Sequence, residues 1–78
     1  MRPKLPVVSG AKAARAFERL GYEIVRQRSS HIRMRHLSDP RRLPLSIPDH
    51  RELKPGLLRR LLRDANISVE EFCRLLDL

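Results

Sequence analysis

The fold is indicated most clearly by one segment, Ser30-His31-Ile32-Arg33-Met34-Arg35-His36, in which polar and apolar residues alternate with a period of two. Side chains two apart in an extended strand point to the same face of a sheet. The pattern therefore predicts a strand that buries Ile32 and Met34 in a core. His36 is in phase with these two residues, so we interpret it as a packed, structural histidine.

The other face of the same strand carries groups suited to phosphate chemistry. The alternation exposes His31, Arg33 and Arg35 together on the solvated side. A histidine titrates near neutral pH and can give or take a proton, and an arginine can hold two phosphate oxygens at once. Two interpretations follow from the pattern alone. One is chemistry on a phosphodiester, and the other is an edge strand whose charges only discourage aggregation.

Size and charge narrow the class of protein. A chain of 78 residues is predicted to form one small domain, residues 1–78, with a modest core. Its formal net charge of +8 predicts a polyanionic partner, either nucleic acid or an acidic protein. Among 17 lysine and arginine residues only Lys4, Lys12 and Lys54 are lysines. This bias towards arginine suits nucleic acid, and an arginine-biased source organism would produce it equally. With only three aromatic residues, recognition is predicted to rely on backbone and shape instead of base stacking.

The remaining composition argues against several kinds of site. The single cysteine, Cys73, cannot form an intramolecular disulfide or a cysteine zinc cluster, and we interpret it as a small packing residue. Three scattered histidines and no clustered carboxylates give no zinc or two-metal signature. No apolar run has the length of a signal peptide or a membrane span. We therefore expect a soluble, cytoplasmic protein that uses neither metal nor cofactor.

The helices are marked by their capping residues. Ser9 is a plausible N-cap for a helix over residues 10–20 that stops at Gly21. A second helix is predicted from Lys54-Pro55-Gly56 to Asn66-Ile67, with proline in its first turn. The capping-box pattern Ser68-Val69-Glu70-Glu71 predicts a short final helix.

Strands are predicted on either side of the central segment. The first covers residues 22–28, with Tyr22 and Ile24 pointing inward, and the third covers residues 42–47. Leu43, Leu45 and Ile47 are predicted to share one side of the third strand, and Pro44 places that strand at a sheet edge or breaks it locally, because proline donates no ladder hydrogen bond. The resulting order, α-β-β-β-α-α, predicts an α+β fold with a three-stranded antiparallel sheet backed by helices.

Several segments, in the same order along nearly the whole chain, resemble the HicA toxins of HicA–HicB toxin–antitoxin systems, also described as YcfA-like messenger-RNA interferases. They are Lys4-Leu5-Pro6-Val7-Val8-Ser9-Gly10, Leu20-Gly21-Tyr22-Glu23, Arg26-Gln27 with Ser30-His31-Ile32-Arg33-Met34-Arg35, Ile47-Pro48-Asp49-His50, Glu52-Leu53-Lys54-Pro55-Gly56-Leu57-Leu58-Arg59 and Ile67-Ser68-Val69-Glu70-Glu71-Phe72. The resemblance implies a fold like a double-stranded-RNA-binding domain. It also implies endoribonucleolytic cleavage of RNA.

The resemblance assigns roles to particular residues. The family's catalytic histidine lies in a Gly-Ser-His motif, so His31 is the implied catalytic residue and Ser30 the serine before it. Ser29 stands where the family usually has glycine, and a turn that needs a positive φ would be strained by serine. His50 matches a family position and is a candidate for a second proton-transfer or phosphate-contact group, or for a loop hydrogen-bonding role.

We therefore predict a metal-independent endoribonuclease in which His31 transfers a proton, with Ser30 and His50 as candidates for support. The implied partners are messenger RNA and a HicB-like antitoxin, with the toxin alone a monomer and the complex a hetero-oligomer. Two alternatives are a non-catalytic RNA- or DNA-binding module and an arginine-rich protein that only docks an acidic partner. The predicted RNA-binding residues are Lys12, Arg15, Arg28, Arg33 and Arg35.

Overall fold

The computed structural model of the chain describes residues 4–28 and 30–78. Three strands form an antiparallel sheet in the order β1-β2-β3, so that β2 is central and β1 and β3 are its edges. This arrangement confirms the predicted α+β fold and the edge position of the third strand. The elements are α1 (Gly10–Arg19), β1 (Tyr22–Arg28), β2 (His31–His36), β3 (Leu45–Pro48), α2 (Pro55–Ala65) and α3 (Val69–Leu76).

The helix ends follow the capping chemistry that the sequence predicts. The Ser9 hydroxyl accepts a hydrogen bond from the backbone N–H of Lys12 at 3.1 Å, and the Ser68 hydroxyl accepts one from the N–H of Glu71 at 3.1 Å. Each bond satisfies an N–H that has no partner inside its own helix. The α2 helix ends at Asn66 in the left-handed conformation, with φ 57°.

The core lies between the helices and one face of the sheet. The alternate residues Ile32, Met34, Leu45 and Ile47 are buried on this inner face, as the period of two predicts. The ring of Phe17 lies 5.2 Å from that of Phe72, and both side chains are fully buried, which joins α1 to α3. No helix within the described residues is both long and apolar enough to pass through a bilayer.

The histidine at the end of β2 has a structural role, as predicted. Its ring Nε2 lies 2.9 Å from the backbone carbonyl oxygen of Leu20. Its Nδ1 accepts hydrogen bonds from the backbone N–H groups of Ser38 at 3.2 Å and Asp39 at 2.9 Å. Because Nδ1 accepts and Nε2 faces a carbonyl, these hydrogen bonds fit the Nε2–H tautomer, and the His36 ring ties the end of α1 to the turn after β2.

The predicted third strand starts too early. It was expected over residues 42–47, but β3 covers Leu45–Pro48, and Leu43 is half exposed instead of sharing the inner side with Leu45. Pro44 has no N–H for a ladder, and the chain before it bonds elsewhere. The backbone N–H of Leu43 donates to the carbonyl oxygen of Asp64 at 2.7 Å, and a guanidinium nitrogen of Arg42 donates to the carbonyl oxygen of Ala65. Residues 42 and 43 therefore hydrogen-bond to the end of α2 instead of joining the sheet.

The prediction that Ile24 points into the core is also wrong in part. Ile24 pairs with the buried Met34 and so shares its face, but 41% of Ile24 is exposed. Directly after it the ladder contains a β-bulge, where Val25 is an extra residue between the pairs Ile24–Met34 and Arg26–Arg33. Tyr22, before the bulge, is buried as predicted.

Tyr22 gives the fold a measurable dependence on alkaline pH. Its hydroxyl donates to the carbonyl oxygen of Leu43 at 2.7 Å, and burial raises the pKa of Tyr22 from 10.0 to about 12. Between these values the unfolded chain loses the phenolic proton while the native chain keeps it, so the contribution of Tyr22 to the free energy of unfolding is expected to be complete below pH 10 and to be lost as the pH rises towards 12. The sequence has one tyrosine and no tryptophan, so tyrosinate absorbance during denaturant unfolding reports this group directly. A Tyr22→Phe variant should lack this part of the decline.

Candidate functional site

The bulge in β1 decides which side chains oppose β2 on the outer face of the sheet, the face away from the helices. After the extra residue, Arg26 pairs with Arg33, and Arg28 pairs with His31. Directly paired residues lie on the same face with Cβ atoms about 4.5–5.5 Å apart. If Val25 were instead paired in a regular ladder after Ile24–Met34, Val25 would oppose Arg33, Gln27 would oppose His31, and both β1 arginines would turn to the inner face.

A shallow depression on the outer face collects these residues. We name it the arginine face and define it by the residues that line it, Arg26, Arg28, His31, Arg33 and Ser46. Ser46 comes from β3, where it pairs with Arg33. All three strands therefore contribute, and the ladder hydrogen bonds hold the positions of their Cα atoms.

The arginine face carries positive charge that the described residues do not neutralise. Among residues 4–28 and 30–78, no carboxylate forms an ion pair with Arg26, Arg28 or Arg33. Like charges placed opposite each other across a ladder are unfavourable, so the pair Arg26–Arg33 lowers the stability of the sheet. A bound phosphate oxygen would remove this repulsion and gain charge-assisted hydrogen bonds.

Arg35 differs from the other outward arginines. One of its guanidinium nitrogens lies 3.8 Å from a carboxylate oxygen of Glu23, its partner on β1. It does not line the arginine face, although the sequence analysis grouped it with Arg33. Both side chains of this ion pair are well exposed, so it is weak, and Arg35 could still exchange the carboxylate for a phosphate.

The ring of His31 is oriented by the residue before it. The Ser30 hydroxyl oxygen lies 3.3 Å from Nδ1 of His31. When Nδ1 carries the proton and donates it to this oxygen, Nε2 keeps a free lone pair and can act as a base. Both side chains are exposed, so the ring is accessible to a substrate. Ser29 lies outside the described residues, and the predicted effect of replacing glycine there stays a prediction.

The loop after β3 brings His50 to the same end of the sheet. His31 pairs with Pro48, and the backbone N–H of the following Asp49 donates to the carbonyl oxygen of Ser30. The carbonyl oxygen of His50 then accepts from the N–H of Gly10 at 2.9 Å. His50 is exposed, but it does not line the arginine face.

The two RNA-binding residues predicted on α1 lie apart from the arginine face. Lys12 and Arg15 are exposed and line a groove between α1 and the end of α3, together with Arg19 and Asp77. This groove is on the helical side of the sheet. Lys12 is nevertheless within one helical turn of Gly10, which contacts the His50 backbone. The start of α1 therefore reaches the end of the sheet that carries His31.

Sequence reasoning missed two residues of the arginine face. Ser46 alternates with the buried Leu45 and Ile47, so the period of two could have placed it on the outer face. Arg26 could not have been found in this way, because its orientation depends on the bulge. Within the described residues, no three histidine, cysteine, aspartate or glutamate side chains come together in a way that could hold a metal ion.

Comparison with known protein families supports the resemblance seen in the sequence. A family model described as the HicA toxin of bacterial toxin–antitoxin systems matches residues 10–67, which is most of the chain. The match includes the whole sheet, the arginine face and α2. A search of the curated proteins finds no match to the chain.

Proposed function

The chain belongs to the HicA toxin family, and is thus the toxin component of a bacterial toxin–antitoxin system, and from this premise we propose that it is a metal-independent endoribonuclease acting on messenger RNA. The observation that carries the proposal is the arginine face, where an accessible histidine lies among three arginines that have no carboxylate partner in the described residues. This combines a proton-transfer group with an anion site. A binding module would need the arginines but not the histidine.

The RNA itself supplies the nucleophile in the proposed reaction. The 2′-oxygen bonds to the phosphorus of the adjacent phosphodiester, and the bond from phosphorus to the 5′-oxygen of the next nucleotide breaks. His31 takes the proton of the 2′-hydroxyl through Nε2, and the departing 5′-oxygen takes up a proton from His50 or from the now protonated His31. The products carry a 2′,3′-cyclic phosphate and a 5′-hydroxyl. No external water or redox partner is needed for this step.

The arginines act on the phosphate. Arg28 and Arg33 are the nearest outward neighbours of His31, one across the ladder and one two residues along β2. Guanidinium groups at these positions would hold the non-bridging oxygens and stabilise the charge that develops on them in the transition state. Arg26 extends the same anion site, and Arg35 would contribute a contact further along β2.

The supporting residues have smaller proposed roles. Ser30 is a positioning residue, because its hydroxyl meets Nδ1 and leaves Nε2 for the substrate. His50 is proposed to supply a proton or a phosphate contact at the same end of the sheet, and its proximity to Ser30 through Asp49 supports this. Lys12 and Arg15 are proposed to contact RNA that continues past the start of α1.

The antitoxin is the second proposed partner. Membership of the family implies an antitoxin, and we propose that it is HicB-like and covers the arginine face. An acidic partner would be steered onto this surface by its charge and would exclude RNA from His31. The complex would be a hetero-oligomer, and the toxin alone a monomer in the cytoplasm.

The mechanism is tested with an RNA that lacks a single 2′-hydroxyl. An oligonucleotide with 2′-deoxyribose immediately before a mapped cut position should bind as well as the parent RNA, since the arginines contact phosphate, but cleavage at that position should stop. Cleavage at neighbouring positions provides the internal control, and a chelator is present throughout. Products with a 5′-phosphate, or an undiminished cut at the deoxy position, would show that the 2′-oxygen is not the nucleophile.

A further inference from the structure

The arginine face is continuous with a second basic surface on α2. Ser46, which lines the arginine face, also lines a depression between β3 and α2. Arg60 lines the same depression. Together with Arg59 and Arg63, it also lines a further depression on α2. We name these three residues the α2 arginine patch. Of the three strands, α2 packs against β3, so the patch lies beside that edge of the sheet.

We propose that the α2 arginine patch is a subsite for the RNA strand that leaves the arginine face across β3. This inference rests on the proposed function, because it takes the arginine face as the place where the RNA is held. The strand would pass Ser46, whose small side chain leaves room on the outer face, and would reach Arg60 next. The substrate would then be a single strand several nucleotides long.

The charges of the patch favour a polyanionic occupant. Arg59 and Arg63 are four residues apart and Arg60 and Arg63 three apart, so their side chains are neighbours on the helix surface and repel each other. All three are exposed. Asp64 shares the β3–α2 depression but forms no ion pair among the described residues. A phosphate backbone would neutralise this repulsion.

A nucleic-acid strand fits this track better than a protein. Protein interfaces are organised around buried aromatic or aliphatic anchors, and none of the large exposed apolar residues found in the described part of the chain is among those lining the patch or the arginine face. Guanidinium groups in a row match the repeated charge of a backbone. The absence of aromatic residues from the patch predicts little base preference there.

The experiment measures binding against RNA length. A series from a dinucleotide to about sixteen nucleotides covers the range that single-strand-binding folds occupy, and 2′-deoxy substitution at the cut position prevents cleavage. For the parent protein, affinity should rise as the RNA reaches the patch. Arg60→Ala with Arg63→Ala should lower affinity for the longest RNA by at least about tenfold and reduce the slope of log K against log salt by about 1.4. Affinity for the dinucleotide should stay unchanged.

The matched control removes two charges elsewhere. Arg41→Ala with Arg74→Ala changes the net charge equally, but neither residue lines the track. The subsite would be overturned if both double variants lost RNA affinity equally. It would also be overturned if the α2 variant lost as much affinity for the dinucleotide as for the longest RNA. Normal RNA binding with lost binding of an acidic protein partner would also overturn it, in favour of a protein-docking surface. If the α2 substitutions lower RNA affinity in a length-dependent way but the parent protein cleaves no RNA, the subsite is supported and the proposed cleavage is refuted.

Discussion

His31→Ala is expected to cleave RNA about 100- to 10,000-fold more slowly than the parent protein, which is the usual contribution of one general acid–base group. Its side chain is exposed at the start of β2, so its removal leaves no cavity. The free energy of unfolding should therefore change by less than about 0.5 kcal/mol. RNA affinity should be nearly unchanged because the arginines remain. Single-turnover cleavage, thermal unfolding and binding to a 2′-deoxy substrate measure the three quantities separately.

His36 provides the contrast that makes this result interpretable. His36→Ala removes hydrogen bonds at both ring nitrogens, so it should lower the stability of the fold by about 1–3 kcal/mol with little direct effect on cleavage by the folded fraction. If His31→Ala instead unfolds the chain, or retains parental cleavage, His31 is not the proton-transfer group. Loss of RNA binding with intact folding would point to a contact residue.

Gly10→Ala is expected to destabilise the fold by about 2–4 kcal/mol, through overpacking and loss of a buried hydrogen bond. A Cβ atom at this position would overlap the carbonyl oxygen of Pro48 and lie 3.0 Å from Cα of Asp49. Both are backbone atoms, so the start of α1 or the loop after β3 must move. Such a shift would break the hydrogen bond from Gly10 to His50 and displace the segment that holds Ser30. Denaturant unfolding measures the loss, and cleavage by the remaining native protein reports the displacement.

Gly56→Ala is the matched control. Gly56 is also near the start of a helix, but a Cβ there meets nothing within 4 Å. The same substitution should leave the fold unchanged or stabilise it by about 0.5–1 kcal/mol, since alanine has the higher helix propensity. Similar effects at the two glycines would show that the close approach of α1 to Pro48 does not constrain the fold.

Local chemistry made much of the fold predictable. The hydroxyls of Ser9 and Ser68 mark two helix starts, and the alternation along β2 gives its buried and exposed faces, because each signal depends on residues close in sequence. The start of the third strand was less predictable. Leu43 bonds to Asp64 in α2, and a propensity pattern carries no information about a partner 21 residues away.

The residues of the candidate site were likewise predictable only in part. His31 and Arg33 follow from the period of two, and the resemblance to the HicA toxins adds Ser30 and His50. Arg26 required the structure, because the number of residues between two ladder pairs is not visible in the sequence. The ion pair of Arg35 with Glu23 also depends on the register.

The bulge at Val25 gives the two halves of β1 different tolerance of deletions. Removing Val25 itself would restore an unbroken ladder and still leave Arg26 opposite Arg33 and Arg28 opposite His31. Removing Gln27, two residues later, would keep every charge in the chain but move Arg28 to the position opposite Ile32, on the buried face. A homologue one residue shorter could therefore keep or lose this half of the site, depending on where in β1 the gap falls.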